Sequence, residues 1–535
     1  MFPRKLTKAV ISDPDYPVVD TKQGKVRGLV VEDTFIFRGI RYARARRFHM
    51  PEEPESWDGI RDATIFGPTC PEISTLIPPD SFVDPHAVWP QSEDCLQLNI
   101  WTQHIDLAAR RPVMVWIHGG GFEHGSSIEI FSYDGEELSK YGDVVVVSLN
   151  HRLHALGYLD LSDYGEEYRY SGNLGNADIV AALRWIRENI AAFGGDPDRV
   201  MLFGQSGGGM KIESLLQTPA ADGLYHCGSI ESGGSGEADL RHEDAAVMTH
   251  YVLDALGLNR ENIHEIETMP YHQFAYGVAN ARVKYAEEQG DRMRWMPVAD
   301  GDYYLGRGIN VGHREETKNI PLLVGTVLGE MSGNGLFPPT RHKETWSEEQ
   351  VDKLLRQHFG DKAEAICAAY EKAYPGRLKV DAVFVDIFHR ENHINIAKSR
   401  ATAGCAPAYN WVLALEMPAY GGSTPWHNAE EPFVFHNAQY LESVYIPGVT
   451  DTLQDQMCSA WVSFAATGNP NVEILPEWKP CEAEKAQTMV FDAPCRMVED
   501  HDREYIELVK QCDVEKFSRR GPKVTYGGGP RAKEG

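Results

Sequence analysis

One stretch constrains the fold of this chain more than any other: residues 200–209, which read VMLFGQSGGG. Its first half is an apolar run typical of a strand, and its second half holds the pattern Gly-x-Ser-x-Gly around Ser206. On a sharp strand-to-helix turn, neighbouring glycines leave the room that exposes a serine hydroxyl at the edge of a sheet. A plain glycine-rich turn is the alternative, but the strand before it and the small residues after it favour a nucleophile.

Apolar segments elsewhere in the chain alternate with helical ones. Residues 112–117, 144–149, 321–327 and 409–415 are nearly continuous apolar runs, which predict strands buried on both faces. The end of segment 92–101 alternates apolar and polar residues, which predicts a half-buried strand. Residues 177–192 carry apolar side chains at helical spacing. This alternation predicts an α/β fold with a central, mostly parallel sheet flanked by helices.

The chain is expected to form one catalytic domain over residues 1–535. No internal repeat and no linker divides it. Amphipathic helical patterns at about 240–318 and 340–404 are interpreted as insertions that wall a pocket. Residues 520–535, rich in glycine, proline and lysine, are expected to form a flexible tail.

Charge and composition exclude several classes of function. With 78 acidic against 52 basic residues, the formal net charge is −26, which disfavours nucleic acid and anionic membranes as partners. The arginines near residue 45 are therefore expected to be ion-paired or solvated; they are Arg41, Arg44, Arg46 and Arg47. No apolar run is long enough to span a membrane, and no apolar signal segment follows Met1. A cytoplasmic location is expected, although a removed signal would instead indicate secretion.

A second glycine-rich motif supplies candidate hydrogen-bond donors for a reaction at Ser206. His118 and three successive glycines follow the predicted strand 112–117. This HGGG pattern is typical of loops whose backbone N–H groups stabilise an oxyanion, and the N–H of the residue after the nucleophile adds to them. A mere glycine loop is the alternative, which the later Gly-x-Ser-x-Gly motif disfavours. No zinc, calcium, phosphate-loop or dinucleotide motif is present, so neither a metal nor a cofactor is expected.

A serine nucleophile needs a base, and the base needs an orienting acid. In the fold predicted here, the chain order is serine, acid, histidine. Glu330 follows an apolar strand at a glycine-rich turn, although an ordinary solvated glutamate would read the same. His427 lies on a loop before the aromatic, strand-like run 433–435, and spacing alone leaves His393 and His436 as rivals.

Together these segments resemble the type-B carboxylesterase/cholinesterase family of α/β-hydrolases, in its bacterial form. The resemblance covers roughly residues 17–500 and is carried by SEDCL at 92–96, LN at 98–99, FGGDP at 193–197 and FGQS at 203–206. It implies the α/β-hydrolase fold. It also implies a catalytic triad and an oxyanion hole, formed respectively by Ser206, Glu330 and His427 and by the N–H groups of Gly120, Gly121 and Gly207.

The same resemblance assigns further residues. It implies that Gln205, Ser232 and Glu430 support the triad, that Arg152 pairs with Asp178 and Arg47 with Glu93, and that Cys70 and Cys95 match a disulfide of secreted relatives. In a cytoplasmic protein that bridge would be absent. Two positions beside the nucleophile depart from the family: Gln205 replaces a common glutamate and so lowers the attraction for a choline-like cation, and Gly207 replaces a common alanine. The family's usual double proline is also missing from residues 39–44.

The expected function is hydrolysis of small to medium neutral carboxylic esters through an acyl-enzyme. One alternative is a non-catalytic binding or adhesion protein on the same scaffold, although such relatives usually lose the nucleophile. The other is cleavage of an amide, lactone or carbamate in the same site. The expected partner is a small-molecule ester, and nothing in the sequence indicates a particular oligomeric state.

Overall fold

The computed structural model describes residues 9–73, 84–234, 239–330 and 342–512. Its strands in chain order are β1 (Val10–Ile11), β2 (Val18–Asp20), β3 (Lys25–Arg27), β4 (Leu29–Val31), β5 (Thr34–Arg41), β6 (Ile60–Asp62), β7 (Gln97–Thr102), β8 (Arg111–Ile117), β9 (Val145–Leu149), β10 (Gly195–Gln205), β11 (Cys227–Glu231), β12 (Leu240–Arg241), β13 (Val298–Ala299), β14 (Leu322–Val327), β15 (Ala408–Leu413), β16 (Gln487–Phe491) and β17 (Arg496–Glu499). Its α-helices are α1 (Glu136–Gly142), α2 (His154–Tyr158), α3 (Leu174–Asn189), α4 (Gly207–Leu215), α5 (His242–Leu256), α6 (Glu265–Thr268), α7 (Tyr271–Gln289), α8 (Gly308–Val311), α9 (Glu348–Phe359), α10 (Ala363–Ala373), α11 (Ile387–Thr402), α12 (Glu431–Val434), α13 (Val449–Thr467) and α14 (Arg503–Lys510).

Across the described ranges, one sheet of twelve strands forms the centre of the molecule. Its order is β1-β4-β5-β7-β9-β8-β10-β11-β14-β15-β16-β17. Every neighbouring pair from β9 to β16 is parallel, and the pairs outside that block are antiparallel. The predicted α/β class with a mostly parallel sheet is therefore confirmed. Since parallel strands end at the same edge, the loops after β8, β10, β11, β14 and β15 meet there.

The central strands separate two hydrophobic cores. In β8 the side chains of Val113, Val115 and Ile117 face one core, together with residues of α3 and α4. Met114 and Trp116 face the other core, against residues of α13. Side chains of a strand point alternately to its two faces, so a strand covered by helices on both sides is apolar throughout. This explains the continuous apolar runs in the sequence.

Two local predictions are wrong. Strand β7 is predicted to be half-buried, but five of its six residues are buried, because Leu98 and Ile100 pack into one core and Trp101 into the other. Its polar Asn99 is satisfied internally, accepting from the Gly39 N–H at 3.0 Å and donating to Ser148 Oγ at 3.1 Å. The aromatic run 433–435, expected to be strand-like, lies instead in and directly after the short helix α12. Burial on all sides, rather than a strand, accounts for its apolar character.

The predicted insertions are helical in the described residues, with α5–α8 in the first and α9–α11 in the second. Helix α3 begins at Leu174, three residues before the predicted start, and a 3-10 turn at Ile190–Phe193 completes the predicted span. The expected tail at 520–535 lies outside the described residues. Among the helices that are described, none is both long and apolar enough to cross a membrane.

The expected ion pairs form. Arg152 and Asp178 are both buried, and their contacts include Nη2 to Oδ1 at 2.6 Å and Nε to Oδ2 at 2.8 Å. Removing one partner of such a buried pair typically costs about 3–5 kcal/mol, because the other charge is left uncompensated. The arginines near residue 45 are ion-paired as predicted: Arg41 with Asp94, Arg44 with Glu52 and Glu55, Arg46 with Glu267, and Arg47 with Glu93.

Candidate active site

Ser206 lies on the sharp turn between strand β10 and helix α4. Its φ of 54° and ψ of −120° lie outside the conformations that a serine usually adopts, which is typical of a strained functional turn. The Ser206 N–H donates to the Glu231 carbonyl at 2.7 Å, which fixes the turn to the end of β11. A Cβ at Gly204 would lie 2.6 Å from the Ile117 carbonyl oxygen, so this flank of the turn has no room for a side chain.

The glycine loop after β8 packs directly on this turn. A Cβ at Gly119 would lie 3.5 Å from Ser206 Cβ, and a Cβ at Gly207 would overlap the backbone of Gly121, including its nitrogen. Gly120 has a φ of 80°, and its carbonyl accepts hydrogen bonds from the backbone N–H groups of residues 123 and 124 at 3.2 Å. The candidate oxyanion donors Gly121 and Gly207 are therefore neighbours beside the serine.

His427 and Glu330 form a closely bonded pair. The His427 Nδ1 and the Glu330 Oε2 are 2.5 Å apart, and the backbone N–H of His427 donates to the Glu330 carbonyl at 2.5 Å. Glu330 is fully buried, and its other carboxylate oxygen accepts from the Val327 N–H at 3.1 Å. A carboxylate only accepts, so Nδ1 carries the proton and leaves Nε2 as the basic nitrogen.

The sheet explains how residues so distant in sequence come to the same edge. Ser206 follows β10 directly, Glu330 lies three residues after the end of β14, and His427 lies in the loop after β15. Strands β10, β11, β14 and β15 are consecutive, parallel neighbours. Nε2 of His427 is buried and has no hydrogen-bond partner within the described ranges, and in those ranges no hydrogen bond joins it to Ser206 Oγ.

Two more carboxyl groups lie behind this pair. Glu430 is buried and accepts from Ser232 Oγ at 3.5 Å. Burial, with the nearby charges of Glu330 and Glu231, raises the pKa of Glu430 well above its usual range. Burial also raises the pKa of Glu231 to about 7, while its carboxylate accepts from Trp461 Nε1 at 2.7 Å. The sequence analysis identified Ser232 and Glu430 but missed Glu231, whose signal is a charged residue at the end of an otherwise uncharged strand.

The alternative bases do not pair with Glu330. His393 Nε2 accepts from the Gly234 N–H at 3.0 Å, and its Nδ1 faces the His389 carbonyl at 2.7 Å. His436 bonds Asp455 at 2.8 Å. Gln205, expected beside the nucleophile, is buried, and its Oε1 would lie 3.3 Å from a Cβ at Gly119.

Two charged groups near the site were not predicted from the sequence. Lys211 is completely buried in helix α4, five residues after the nucleophile. His389 bonds Asp386 Oδ2 at 3.2 Å, and its ring centroid lies 5.9 Å from that of His427. Burial opposes the charged form of His389, but the Asp386 carboxylate outweighs it and raises the His389 pKa to about 9. The sequence signal for Lys211 was a lysine inside a helix that packs on the sheet. The signal for His389 was Asp386, three residues earlier at the start of helix α11.

Cys70 and Cys95, which match a disulfide of secreted relatives, are both buried and are free thiols in this structure. They are close enough to share a hydrogen bond, and that bond raises the pKa of the Cys95 thiol well above its usual range. Among the described residues, no group of histidine, cysteine or acidic side chains is arranged to hold a metal ion.

The site thus combines three features. Ser206 lies on a strained strand-to-helix turn, His427 is oriented by a buried carboxylate, and glycine backbone N–H groups lie beside the serine. This combination suits acyl transfer through a covalent intermediate.

Comparisons with known proteins agree with this chemistry. The model of the carboxylesterase family matches residues 15–507. The para-nitrobenzyl esterase of Bacillus subtilis (strain 168) is 33% identical over 497 residues, covering 91% of this chain and 97% of that protein. The phenmedipham hydrolase of Pseudarthrobacter oxydans is 29% identical, covering 89% and 94%. A solved esterase from Clostridium hathewayi, described as hydrolysing aliphatic aromatic polyesters, is 43% identical with a TM-score of 0.90, covering 95% of this chain and all of that one.

Proposed function

Because this chain belongs to the carboxylesterase family and is a carboxylic ester hydrolase, we propose that it cleaves esters through an acyl-enzyme formed on Ser206. In this proposal His427 is the general base and Glu330 its orienting acid. The observation that carries the assignment is the 2.5 Å contact between His427 Nδ1 and Glu330 Oε2, which directs the basic Nε2 away from the carboxylate.

In the first step, Ser206 Oγ attacks the ester carbonyl carbon while its proton passes to His427 Nε2. The carbon–oxygen bond of the leaving alcohol then breaks, and the proton on Nε2 goes to that alcohol. A water molecule repeats the sequence on the acyl-enzyme and releases the acid and free Ser206. Glu330 stabilises the imidazolium that exists in between.

The negative oxygen of each tetrahedral intermediate is assigned to the N–H groups of Gly120, Gly121 and Gly207. The close packing of Gly121 on Gly207 supports this assignment. Removing one such donor typically lowers the rate by a factor of about 100 to 1000.

The substrates we propose are small to medium neutral esters. Gln205 is buried next to the nucleophile and carries no charge, so a cationic substrate gains no carboxylate there. We propose a single catalytic domain, with the helical segments at about 240–318 and 340–404 forming the walls of the pocket.

We place the enzyme in the cytoplasm, where the buried neighbours Cys70 and Cys95 would remain reduced. Alkylation of the denatured native protein, purified without reductant, tests this placement. Nine alkylated cysteines are expected, whereas seven with an intact 70–95 disulfide would indicate secretion.

The test of the mechanism compares wild-type protein with Ser206→Ala and His427→Ala. A fluorophosphonate, which loses fluoride to an activated serine, should label the wild type, and heat-denatured wild type is the control. We expect Ser206→Ala to abolish both labelling and turnover of p-nitrophenyl acetate, and His427→Ala to reduce both by about 10⁴-fold or more. Labelling that survives Ser206→Ala would refute the assignment. Esters graded by acyl size then define the pocket.

A further inference from the structure

Lys211 is a buried cation that the proposed mechanism does not use. Its exposed fraction is 0%, and a lysine is almost never fully buried unless a partner compensates its charge. Within the described residues, Lys211 forms no ion pair with a carboxylate. Its Nζ donates instead to two backbone carbonyls of the glycine loop, those of His118 at 2.9 Å and Gly119 at 3.4 Å.

The carbonyl of Gly119 is the important one, since it belongs to the same peptide group as the Gly120 N–H. A donor on a carbonyl oxygen favours the charge-separated resonance form of the amide, which makes the N–H of that peptide a stronger donor. The Gly119 carbonyl also faces His118 Nδ1 at 3.0 Å. Because a carbonyl only accepts, Nδ1 carries the proton, and two donors act on this one oxygen.

Lys211 is a cationic group in direct contact with the carbonyls of this loop. His118 and His151 stack at 5.0 Å behind it. Burial, reinforced by Lys211, lowers the pKa of both histidines well below the usual range, so both are neutral. Burial also lowers the pKa of Lys211 to about 7, against the raising effect of Glu129, so its charged form is populated near neutral pH.

We propose that Lys211 is a positioning residue of the oxyanion site, which holds the His118 and Gly119 carbonyls and strengthens the Gly120 N–H toward the oxyanion. This inference rests on the proposed function, since it assumes that the glycine loop receives the negative oxygen. It assigns Lys211 no contact with the substrate.

The test uses Lys211→Met, which keeps the length of the side chain and removes its donors. We expect kcat for p-nitrophenyl butyrate to fall about ten- to a hundredfold, with KM changing less than threefold, because the interaction acts on the intermediate. The inhibition constant of a trifluoromethyl ketone, whose adduct with the serine carries a negative oxygen, should weaken by the same factor as kcat/KM. Lys211→Gln, which can still donate one hydrogen bond without a charge, should lie between the wild type and Lys211→Met.

Lys343→Met is the matched control, because Lys343 is also buried but pairs with the carboxylates of Asp381 and Glu416 rather than with carbonyls of the glycine loop. Its variant should lose thermal stability while the folded fraction keeps its kcat. Unchanged kcat and inhibitor affinity in Lys211→Met, or a fall in kcat/KM without loss of inhibitor affinity, would overturn the inference. If Lys211→Met does not fold, the same comparison in Lys211→Gln decides. Activity that persists in Ser206→Ala would instead overturn the proposed function.

Discussion

The two sides of Ser206 consist of different chemical groups. On the donor side, defined by residues 118–121, Gly207 and Lys211, backbone amides face the serine and an ammonium group lies behind them. On the base side, defined by His427, Glu330, Glu430 and Glu231, the His427 imidazole is bonded to the Glu330 carboxylate, and the carboxyl groups of Glu430 and Glu231 are buried nearby. The intermediate of ester cleavage carries a negative oxygen and an imidazolium. In the mechanism proposed above, the amide donors and the Lys211 ammonium would oppose the negative oxygen, and the Glu330 carboxylate would oppose the imidazolium.

The carboxyl groups of the base side are also unequal. Glu330 bonds the imidazole and the Val327 N–H, whereas burial raises the pKa of Glu430 well above its usual range and that of Glu231 to about 7. Burial thus favours the neutral form of Glu430 and Glu231, which lowers the charge repulsion among three clustered carboxyl groups.

The largest expected change in kcat comes from a comparison of substitutions at Glu330 and Glu430. Glu330→Gln should lower kcat for p-nitrophenyl acetate by about 10³- to 10⁴-fold, because the amide neither fixes the required tautomer of His427 nor stabilises its charged form. Glu430→Gln keeps the shape of the side chain at a position where burial raises the carboxyl pKa, and it should lower kcat less than about tenfold. Equal losses in the two variants would contradict the division of roles.

A smaller but still large effect is expected on the donor side. Gly207→Ala places a methyl group where the Gly121 backbone lies, and should lower kcat about a hundredfold by displacing an oxyanion donor. Many relatives carry alanine at this position, as the resemblance indicates. The loss is therefore expected in this chain only because its Gly121 backbone packs so closely on Gly207. Gly223→Ala is the control: its φ is also positive, at 71°, but its Cβ would meet open space. If Gly207→Ala kept wild-type kcat, the donor side would not depend on the packing described here.

The difference between the sides also sets what the sequence could predict. The donor side follows from two contiguous motifs, since glycines at fixed offsets are needed wherever backbone must approach backbone closely. The pairing of Glu330 with His427 depends on strand order in the sheet, so spacing left His393 and His436 as rivals and only the family resemblance selected His427. Lys211 was missed because its hydrogen-bond partners are backbone carbonyls, so the sequence shows a lysine inside a helix but not what that lysine binds.

The two wrong secondary-structure predictions, for β7 and for residues 433–435, also arise from tertiary contacts that the sequence does not show. The polar residues of β7 predicted an exposed face, but Asn99 bonds within the sheet and the strand is buried. The apolar run at 433–435 indicated burial correctly and the type of element wrongly, because short apolar runs fit a buried helix as well as a strand. Tertiary partners decide both cases.

The smallest expected effect concerns the histidine beside the base side. The pairing with Asp386 raises the pKa of His389 from 6.5 to about 9, against burial. The stability from this charge is fully present below pH 6.5 and is lost as pH rises through 9. The melting temperature of the wild type should therefore fall by a few degrees between pH 6.5 and 9.5, and that of His389→Gln should fall less. Identical slopes would show that His389 is not charged in the folded protein.

The most direct test of the central claim, opposite preset charges on the two sides of Ser206, is a crystal structure of the trifluoromethyl ketone adduct. The account predicts the adduct oxygen about 2.7–3.1 Å from the nitrogens of Gly120, Gly121 and Gly207. It also predicts His427 Nε2 within hydrogen-bond distance of Ser206 Oγ, with Nδ1 still on Glu330. An adduct oxygen directed away from the glycine loop, or a His427 ring that stays out of reach of Oγ, would contradict it.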